Sequence, residues 1–255
     1  MSKAAKYRIF CLLLIVGFCI CGCAKKDIAK ENGSREGFNS SEDQIMSFNL
    51  AGFTETGQKK WEVDGESANI LENVVHLKNI IAKSYGKDTT VTLTADEGRF
   101  NRQNNNVHLE KNVIAVTTEG TRLTSDSLDW EAKSQTVKTD DIVTIEKENF
   151  EATGKGGIGK PQLKQVELKM DVTVKVKPNT VITCEGPLEV DYDKDVAVFN
   201  GDVKVADVKG EIYADKITVY FEPKNRKIDR VNALGNVKIV RGNNFTFSKK
   251  AEYYA

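Results

Sequence analysis

Residues 112–116 read Asn-Val-Ile-Ala-Val, an Asn followed by alternating aliphatic side chains, and this short stretch recurs along the 255-residue chain. Four further copies begin at Asp141, Asp171, Asp202 and Asn236, and the first aliphatic residues of the five copies are spaced 29, 30, 31 and 34 residues apart. A repeat of this length is typical of stacked β units, each of which buries its apolar face only against its neighbours. The sequence therefore predicts an elongated β protein.

A second element lies between these copies, an aliphatic strand in which the apolar positions change parity at an Asp. In one copy Ile212 and Ala214 precede Asp215, whereas Ile217 and Val219 follow it. A parity change within a strand indicates a bulge or corner, where one extra residue bends the strand. Polar turns rich in Asn, Gly and Lys separate the strands, as in antiparallel hairpins. We expect the recurring Asp residues to have a structural role, as acceptors of backbone N–H groups at each corner.

The composition argues against several functional classes. Lys plus Arg equals Asp plus Glu at 37 each, so no basic field favours nucleic acid. Gly154-Lys155-Gly156-Gly157-Ile158-Gly159 fits a dinucleotide-binding pattern, but a strand pattern follows where that motif needs a helix, so we predict a glycine-rich bend. The exported part has no HExxH, GxSxG or CxxC motif. We predict no enzyme, catalytic residue, metal or cofactor; the enzyme alternative is a polysaccharide-acting β-solenoid.

The N-terminus predicts export. Lys3, Lys6 and Arg8 precede an apolar segment, residues 9–24, which is short for a membrane-spanning helix and typical of a signal peptide. Ile20-Cys21-Gly22-Cys23 resembles the bacterial lipobox, so we predict a signal peptide over residues 1–22 and lipidation of Cys23. The polar residues 23–44 then form a flexible tether. The alternative is an uncleaved membrane helix.

Three stretches carry a family resemblance. LTADEGRF (93–100) with NNNVHLEKNVIAV (104–116), LTSDSLDWEAKSQTVKTDDIVTI (123–145) and IYADKITVYFEPKNRKIDRVNALGNVKIV (212–240) resemble the OstA-like repeats of bacterial lipopolysaccharide transport proteins. Residues 45–178 look like an LptC-type β jelly roll, and residues 179–255 resemble the continuing repeats of LptA-type bridge proteins. LptC proteins usually hold the membrane with a spanning helix, which this lipobox-like sequence departs from.

The resemblance implies an all-β fold, an elongated, twisted antiparallel jelly roll with an open groove that holds lipid acyl chains. Alternate residues of a strand face one side, so the aliphatic positions of the recurring motif would line one interior. An ordinary sandwich core is the alternative, because alternating aliphatic residues usually form a core. The predicted groove-lining residues are Val113, Ala115, Ile142, Thr144, Val172, Val174, Val203, Val205, Val237 and Ile239.

The resemblance also implies the partners: lipopolysaccharide (LPS), an ATP-driven exporter that delivers it, and an LptA-like bridge that accepts it. Strand edges would be the docking surfaces, the first strands for the exporter and the last strands for the bridge. The candidate edge residues are Phe48, Leu50, Phe53, Phe245, Phe247 and Tyr253. The family favours the periplasmic face of the inner membrane, and the outer membrane is the alternative. A purely structural surface lipoprotein is the rival function.

Overall fold

The computed structural model describes residues 43–85, 90–134, 136–160, 165–223 and 227–254. The predicted signal peptide, Cys23 and all but the last two residues of the predicted tether lie outside these ranges. The described residues form fifteen antiparallel strands and no helix, which confirms the predicted all-β jelly roll. The strands are β1 Asp43–Phe53, β2 Lys59–Leu71, β3 Val74–Tyr85, β4 Thr90–Asn101, β5 Val107–Thr117, β6 Arg122–Glu131, β7 Thr136–Lys147, β8 Phe150–Lys160, β9 Gln165–Val176, β10 Thr180–Cys184, β11 Leu188–Asp191, β12 Val196–Asp207, β13 Gly210–Phe221, β14 Ile228–Arg241 and β15 Asn244–Tyr254.

The sheet is a meander in which each strand pairs with its neighbours in sequence. The short strands β10 and β11 both pair with β9 and β12, so together they take one strand position that is interrupted between Cys184 and Leu188. β1 and β15 lie at the two ends of the sheet, and each pairs on one side only. The sheet is therefore open at both ends, and two strand edges are left without partners among the described residues.

Bulges explain why Asn or Asp begins the recurring motif. Asn112, Asp171, Asp202 and Asn236 have φ between 42° and 53°, the left-handed region that Asn and Asp tolerate better than most residues. At each of these positions the strand register shifts by one residue. The Asn or Asp is the residue that the bulge requires in the left-handed conformation.

The Asp of the second element lies across from the bulge on the neighbouring strand. The Asn112 side-chain amide donates to Asp96 Oδ2 at 2.6 Å, and the Asn236 amide donates to both oxygens of Asp215 at 3.0 and 3.1 Å. These two carboxylates therefore have a structural role, as the sequence predicts. Each accepts its hydrogen bond from the side chain of the bulged residue, however, and not from a backbone N–H. The Asn of the first sequence element and the Asp of the second therefore face each other at the same corner, from neighbouring strands.

We predict that Asn112→Val destabilises the protein by about 1–3 kcal/mol, because a β-branched residue resists the left-handed conformation and the bond to Asp96 is lost. Asn112→Gly should cost less, since Gly adopts this conformation freely and only the hydrogen bond is lost. Urea denaturation of the three proteins measures both differences. Equal stability of the Val variant and the unmodified protein would contradict the assignment.

One copy of the motif departs from the others. Between β6 and β7 the register shifts so that Val143, and not Ile142, faces the interior; Val143 is buried and Ile142 is 62% exposed. Thr144 follows Ile142 on the outer side, so the prediction that these two residues line the groove is wrong. The Ser127 hydroxyl donates to Asp141 Oδ2 at 2.5 Å across this junction. A shift of one residue moves every side chain of a strand to the opposite face.

The glycine-rich segment lies within a strand. Phe150–Lys160 is strand β8, in the middle of the sheet, and Gly156, with φ of 73°, lies on the line of corners. Strand β9 follows, so the helix that nucleotide binding needs at this position is not there.

Candidate lipid-binding trough

The bulges fold the sheet lengthwise, so that the two halves of a strand face each other across one interior. On β3, Leu77 and Ala82 lie on either side of the corner and contact the same cavity. On β4 the same is true of Leu93 and Phe100. We call this interior the trough. Its sides are the two layers of the folded sheet, and the hairpin turns lie along its rims.

A cavity of about 400 Å³, the N-terminal cavity, occupies the trough between β1 and β6. Its lining is almost wholly aliphatic and aromatic. Ile45 and Leu50 of β1 line it and are 47% and 51% exposed, because β1 has no neighbour on its outer edge. The volume falls within the ~300–1,000 Å³ of ligand pockets. The trough is therefore open, apolar and accessible at the β1 end.

A second apolar cavity of about 240 Å³, the central cavity, lies between β5 and β11. Gly157, Gly159 and Ala152 of β8 contribute to its lining, and their small size leaves space between the layers. Val166 and Leu168 of β9 pair with Gly159 and Gly157 and line the cavity beside them. The glycines that resemble a nucleotide-binding motif thus make room for an apolar cavity.

Charged residues border both cavities. Lys83, at the end of β3, and the exposed Arg102, just after β4, border the N-terminal cavity, and Lys83 is paired with Glu62 on the outer side. Two lysines and two glutamates border the central cavity, so its rim has no excess of either charge. Arg102 thus gives the N-terminal cavity a cationic group at its edge, which complements an anionic amphiphile.

Apart from Ile142 and Thr144, the predicted groove-lining residues face the interior, but none of the ten lines either apolar cavity. Val113 and Ala115 are fully packed between the two cavities, and Val172 and Val174 pack on β9. In the C-terminal third the interior is filled as well. Interior positions there include Val203, Val205, Val237 and Ile239, of which Val203 and Val237 are buried and the other two partly buried against the core.

Sequence analysis missed most residues that line the cavities. They lie in β2 and β3, in strand halves that do not begin with the Asn or Asp, such as Val107 with Leu109, and in the short strand β11, as Leu188 with Val190. Alternating aliphatic residues mark these halves too, so the signal was present in the sequence. It was overlooked because the motif was defined by the Asn or Asp, which stands at the beginning of the other half.

The predicted edge residues lie on β1 and β15, at the ends of the sheet. On β1, Leu50 and Phe53 are exposed, and the Phe48 ring covers Gly65 of β2. Phe245 and Phe247 face the outer side of β15, and their rings meet edge to face at 5.6 Å. Tyr253, also exposed, stands opposite Val231 on the inner side. Whether these edges bind partners stays a prediction.

An ionic cluster stabilises the outer side of β2 and β3 beside the N-terminal cavity. Glu62 accepts from Lys59 Nζ at 2.6 Å, from the Tyr85 hydroxyl at 2.7 Å and from Lys83 Nζ at 3.0 Å. These bonds, the one from Lys59 first, lower the pKa of Glu62 from its ordinary 4.5 to about 2. The ammonium groups of Lys59 and Lys83 have raised pKa values for the same reason.

We predict that Glu62 stabilises the fold above about pH 5 and that this contribution is lost as the pH falls towards 2. The carboxylate has a lower pKa in the folded chain than in the unfolded chain, so acid protonates the unfolded chain first. Urea denaturation of the unmodified protein and of Glu62→Gln, across this pH range, measures the difference in free energy of unfolding. A difference that stays constant with pH would contradict the prediction.

Among the described residues, no group of three or more His, Cys, Asp or Glu side chains could hold a metal ion. Cys184 is buried, and the burial raises the pKa of its thiol, so the thiol stays protonated. Across the same ranges, no helix has the length and hydrophobicity to cross a bilayer.

Comparison with known families agrees with the geometry of the trough. Residues 10–177 match the family described as "Lipopolysaccharide-assembly, LptC-related". Residues 187–255 match the family described as "LptA/(LptD N-terminal domain) LPS transport protein". The two matches meet close to the interrupted strand of β10 and β11. A search of curated proteins finds no match to the chain.

Proposed function

The chain belongs to the LptC-related family of lipopolysaccharide-assembly proteins, and we propose that it carries LPS through its trough, from an inner-membrane exporter to a periplasmic bridge. Proteins of the two matched families are periplasmic components of LPS transport and are not enzymes. The N-terminal cavity supports the proposal most directly, because an apolar interior opens at the unpaired end of the sheet.

Acyl chains are the part of LPS that this interior suits. Each methylene moved from water into an apolar site contributes about 0.8 kcal/mol, so a few chains bind firmly without polar recognition. Arg102, at the edge of the N-terminal cavity, would meet an anionic group that stays in water. The lipid would lie with its chains between the layers and its head group at the rim.

Transfer would follow the direction of the sheet. LPS would enter beside β1, whose free edge would pair with the exporter, and leave beside β15, whose free edge would pair with the bridge. The packed interior of β12 to β15 must open for the lipid to pass. The inner side of β15 is largely exposed, so this end of the trough has the fewest contacts to break.

The proposed anchor is the lipidated Cys23, joined to β1 by a tether that gives the trough reach from the inner membrane. Mass spectrometry of the mature N-terminus tests it: a diacylglycerol-modified Cys23 is expected. An uncleaved residue 1 would show the alternative, a membrane helix formed by the apolar segment.

The function is tested on the full chain, extracted from membranes in mild detergent and washed free of bulk lipid. Mass spectrometry should find LPS bound in stoichiometric amount, and a photo-crosslinking residue at Val75, inside the N-terminal cavity, should attach to it. The same crosslinker at the exposed, outward-facing His76 is the control. Protein without LPS and with equal labelling at both positions would favour a purely structural lipoprotein.

A further inference from the structure

The two apolar cavities are separated at strands β5 and β6. Leu109 and Trp130 line the N-terminal cavity, whereas Leu128 lines the central cavity. Leu109 stands directly opposite Leu128, and Val107 stands opposite Trp130. Val113 and Ala115, on the other side of the corner, fill the interior at the same strands. These side chains form a wall across the trough.

Trp130 is the largest member of the wall. Its side chain is buried, with 5% exposed, and its indole Nε1–H has no hydrogen-bond partner among the described residues. A buried donor without an acceptor loses its bond to water and gains nothing in return. Trp130 is therefore the member of the wall with an unsatisfied hydrogen-bond donor. Moving the ring to where Nε1–H meets an acceptor would recover that hydrogen bond.

We propose that Trp130 divides the trough into two acyl-chain compartments, so that chains of an anionic lipid fill the N-terminal cavity and extend into the central cavity only when the ring moves. The occupant is an amphiphile with a negatively charged head, because the lining of both cavities is apolar and the exposed Arg102 stands at the edge of the N-terminal cavity. This inference rests on the proposed function and specifies how far the acyl chains reach into the trough.

The central cavity alone is small for a lipid. Its volume of about 240 Å³ lies below the ~300–1,000 Å³ of ligand pockets, whereas the N-terminal cavity lies within that range. A chain held first in the N-terminal cavity would therefore meet Trp130 at its far end. Joining the two compartments would lengthen the space available to a single chain.

The test is the dependence of affinity on chain length. Saturated fatty acids of increasing length are titrated against the full chain, since a carboxylate head and one alkyl tail isolate the effect of length. In the unmodified protein the affinity should rise about fourfold with each added methylene and then level off when the chain end reaches Trp130. In Trp130→Ala the rise should continue to longer chains. If that variant does not fold, Trp130→Leu replaces it.

Three variants separate the wall from a general loosening of the core. Trp130→Phe keeps an aromatic ring and should level off at nearly the same length as the unmodified protein. Ile217→Ala removes buried volume in the C-terminal third, away from both cavities, and should leave the plateau unchanged. In the double variant Trp130→Ala with Ile145→Trp, the new ring fills the central cavity and should restore the early plateau.

The outcomes separate this inference from the proposed function. If the affinity levels off at the same chain length in the unmodified protein and in Trp130→Ala, the proposal of a wall is overturned and the proposed transport of lipid still stands. If that chain length also changes in Ile217→Ala, the proposal is likewise overturned, since loosening the core anywhere would then have the same effect. Failure of the unmodified protein to bind any fatty acid or LPS would count against the trough itself.

Discussion

Replacing Leu77 with Lys should weaken the binding of LPS. Leu77 lines the N-terminal cavity from β3 and packs against the core. A lysine there places an ammonium group where acyl chains must lie, and filling the cavity would strip that charge of water without giving it a partner. We expect the dissociation constant for LPS to rise at least tenfold, which corresponds to about 1.4 kcal/mol. Titration of the purified protein, together with the LPS that copurifies, measures the effect.

The neighbouring residue provides a matched control. His76 is exposed and faces the outer side of the same strand, so His76→Lys adds the same side chain one position away without entering the cavity. This variant should bind LPS like the unmodified protein. Unchanged affinity in both lysine variants would show that the N-terminal cavity is not where the lipid binds. Equal losses of affinity in both would point to a general effect of added charge.

The order of the strands and the position of the corners could be predicted because both have local causes. The parity change at the Asp of the second element indicates a corner, and the structure places the bulged residue of that corner on the neighbouring strand, at Asn112 or Asn236. The Asp across the corner is local too, since it binds the bulged residue. Polar turns of two to five residues fix antiparallel neighbours. A meander follows from these signals alone.

The register of β7 could not be predicted in the same way. Two adjacent acidic residues, Asp140 and Asp141, precede its aliphatic run, so the sequence allows two positions for the extra residue. Pairing with β6 decides between them, because Ser127 binds Asp141 and Val143 then faces the interior. This choice depends on a strand that is distant from the motif, and the alternation Ile142-Val143-Thr144-Ile145 reads equally well in either register.

The location of the cavities could not be predicted from the sequence, for a related reason. Whether an inward-facing residue packs or lines a space depends on what the opposite layer places against it. Val113 faces inward and is fully buried in the core, whereas Val143 faces inward, lines the central cavity and lies against Gly157 of β8. Both are inward-facing valines just after a corner. The sequence indicates which side chains face inward, and the packing of two layers determines where the interior stays empty.

A proline at Phe247 should prevent the docking of the bridge while leaving the fold intact. Arg241 and Asn244 close a two-residue turn between β14 and β15, so their backbones are hydrogen-bonded to each other. Hydrogen-bonded and non-hydrogen-bonded pairs alternate along the two strands, so the backbones of Phe245 and Phe247 are not bonded to β14. Their backbone N–H and C=O groups therefore point to the free edge of the sheet. Proline at such a position removes a donor that the protein itself does not use. Capture of a β jelly-roll partner should fall at least tenfold, or about 1.4 kcal/mol.

The alanine variant at the same position separates the contribution of the backbone to docking from that of the side chain. Phe247→Ala removes the exposed ring, which is 68% exposed, but keeps the N–H at the edge, so it should retain most of the docking. Both variants should unfold within about 1 kcal/mol of the unmodified protein, because neither changes a buried contact. If alanine weakens capture as much as proline does, the aromatic pair on the outer face is the docking surface and strand pairing is not. If neither weakens capture, the bridge binds elsewhere, and the direction of transfer from β1 to β15 loses its support.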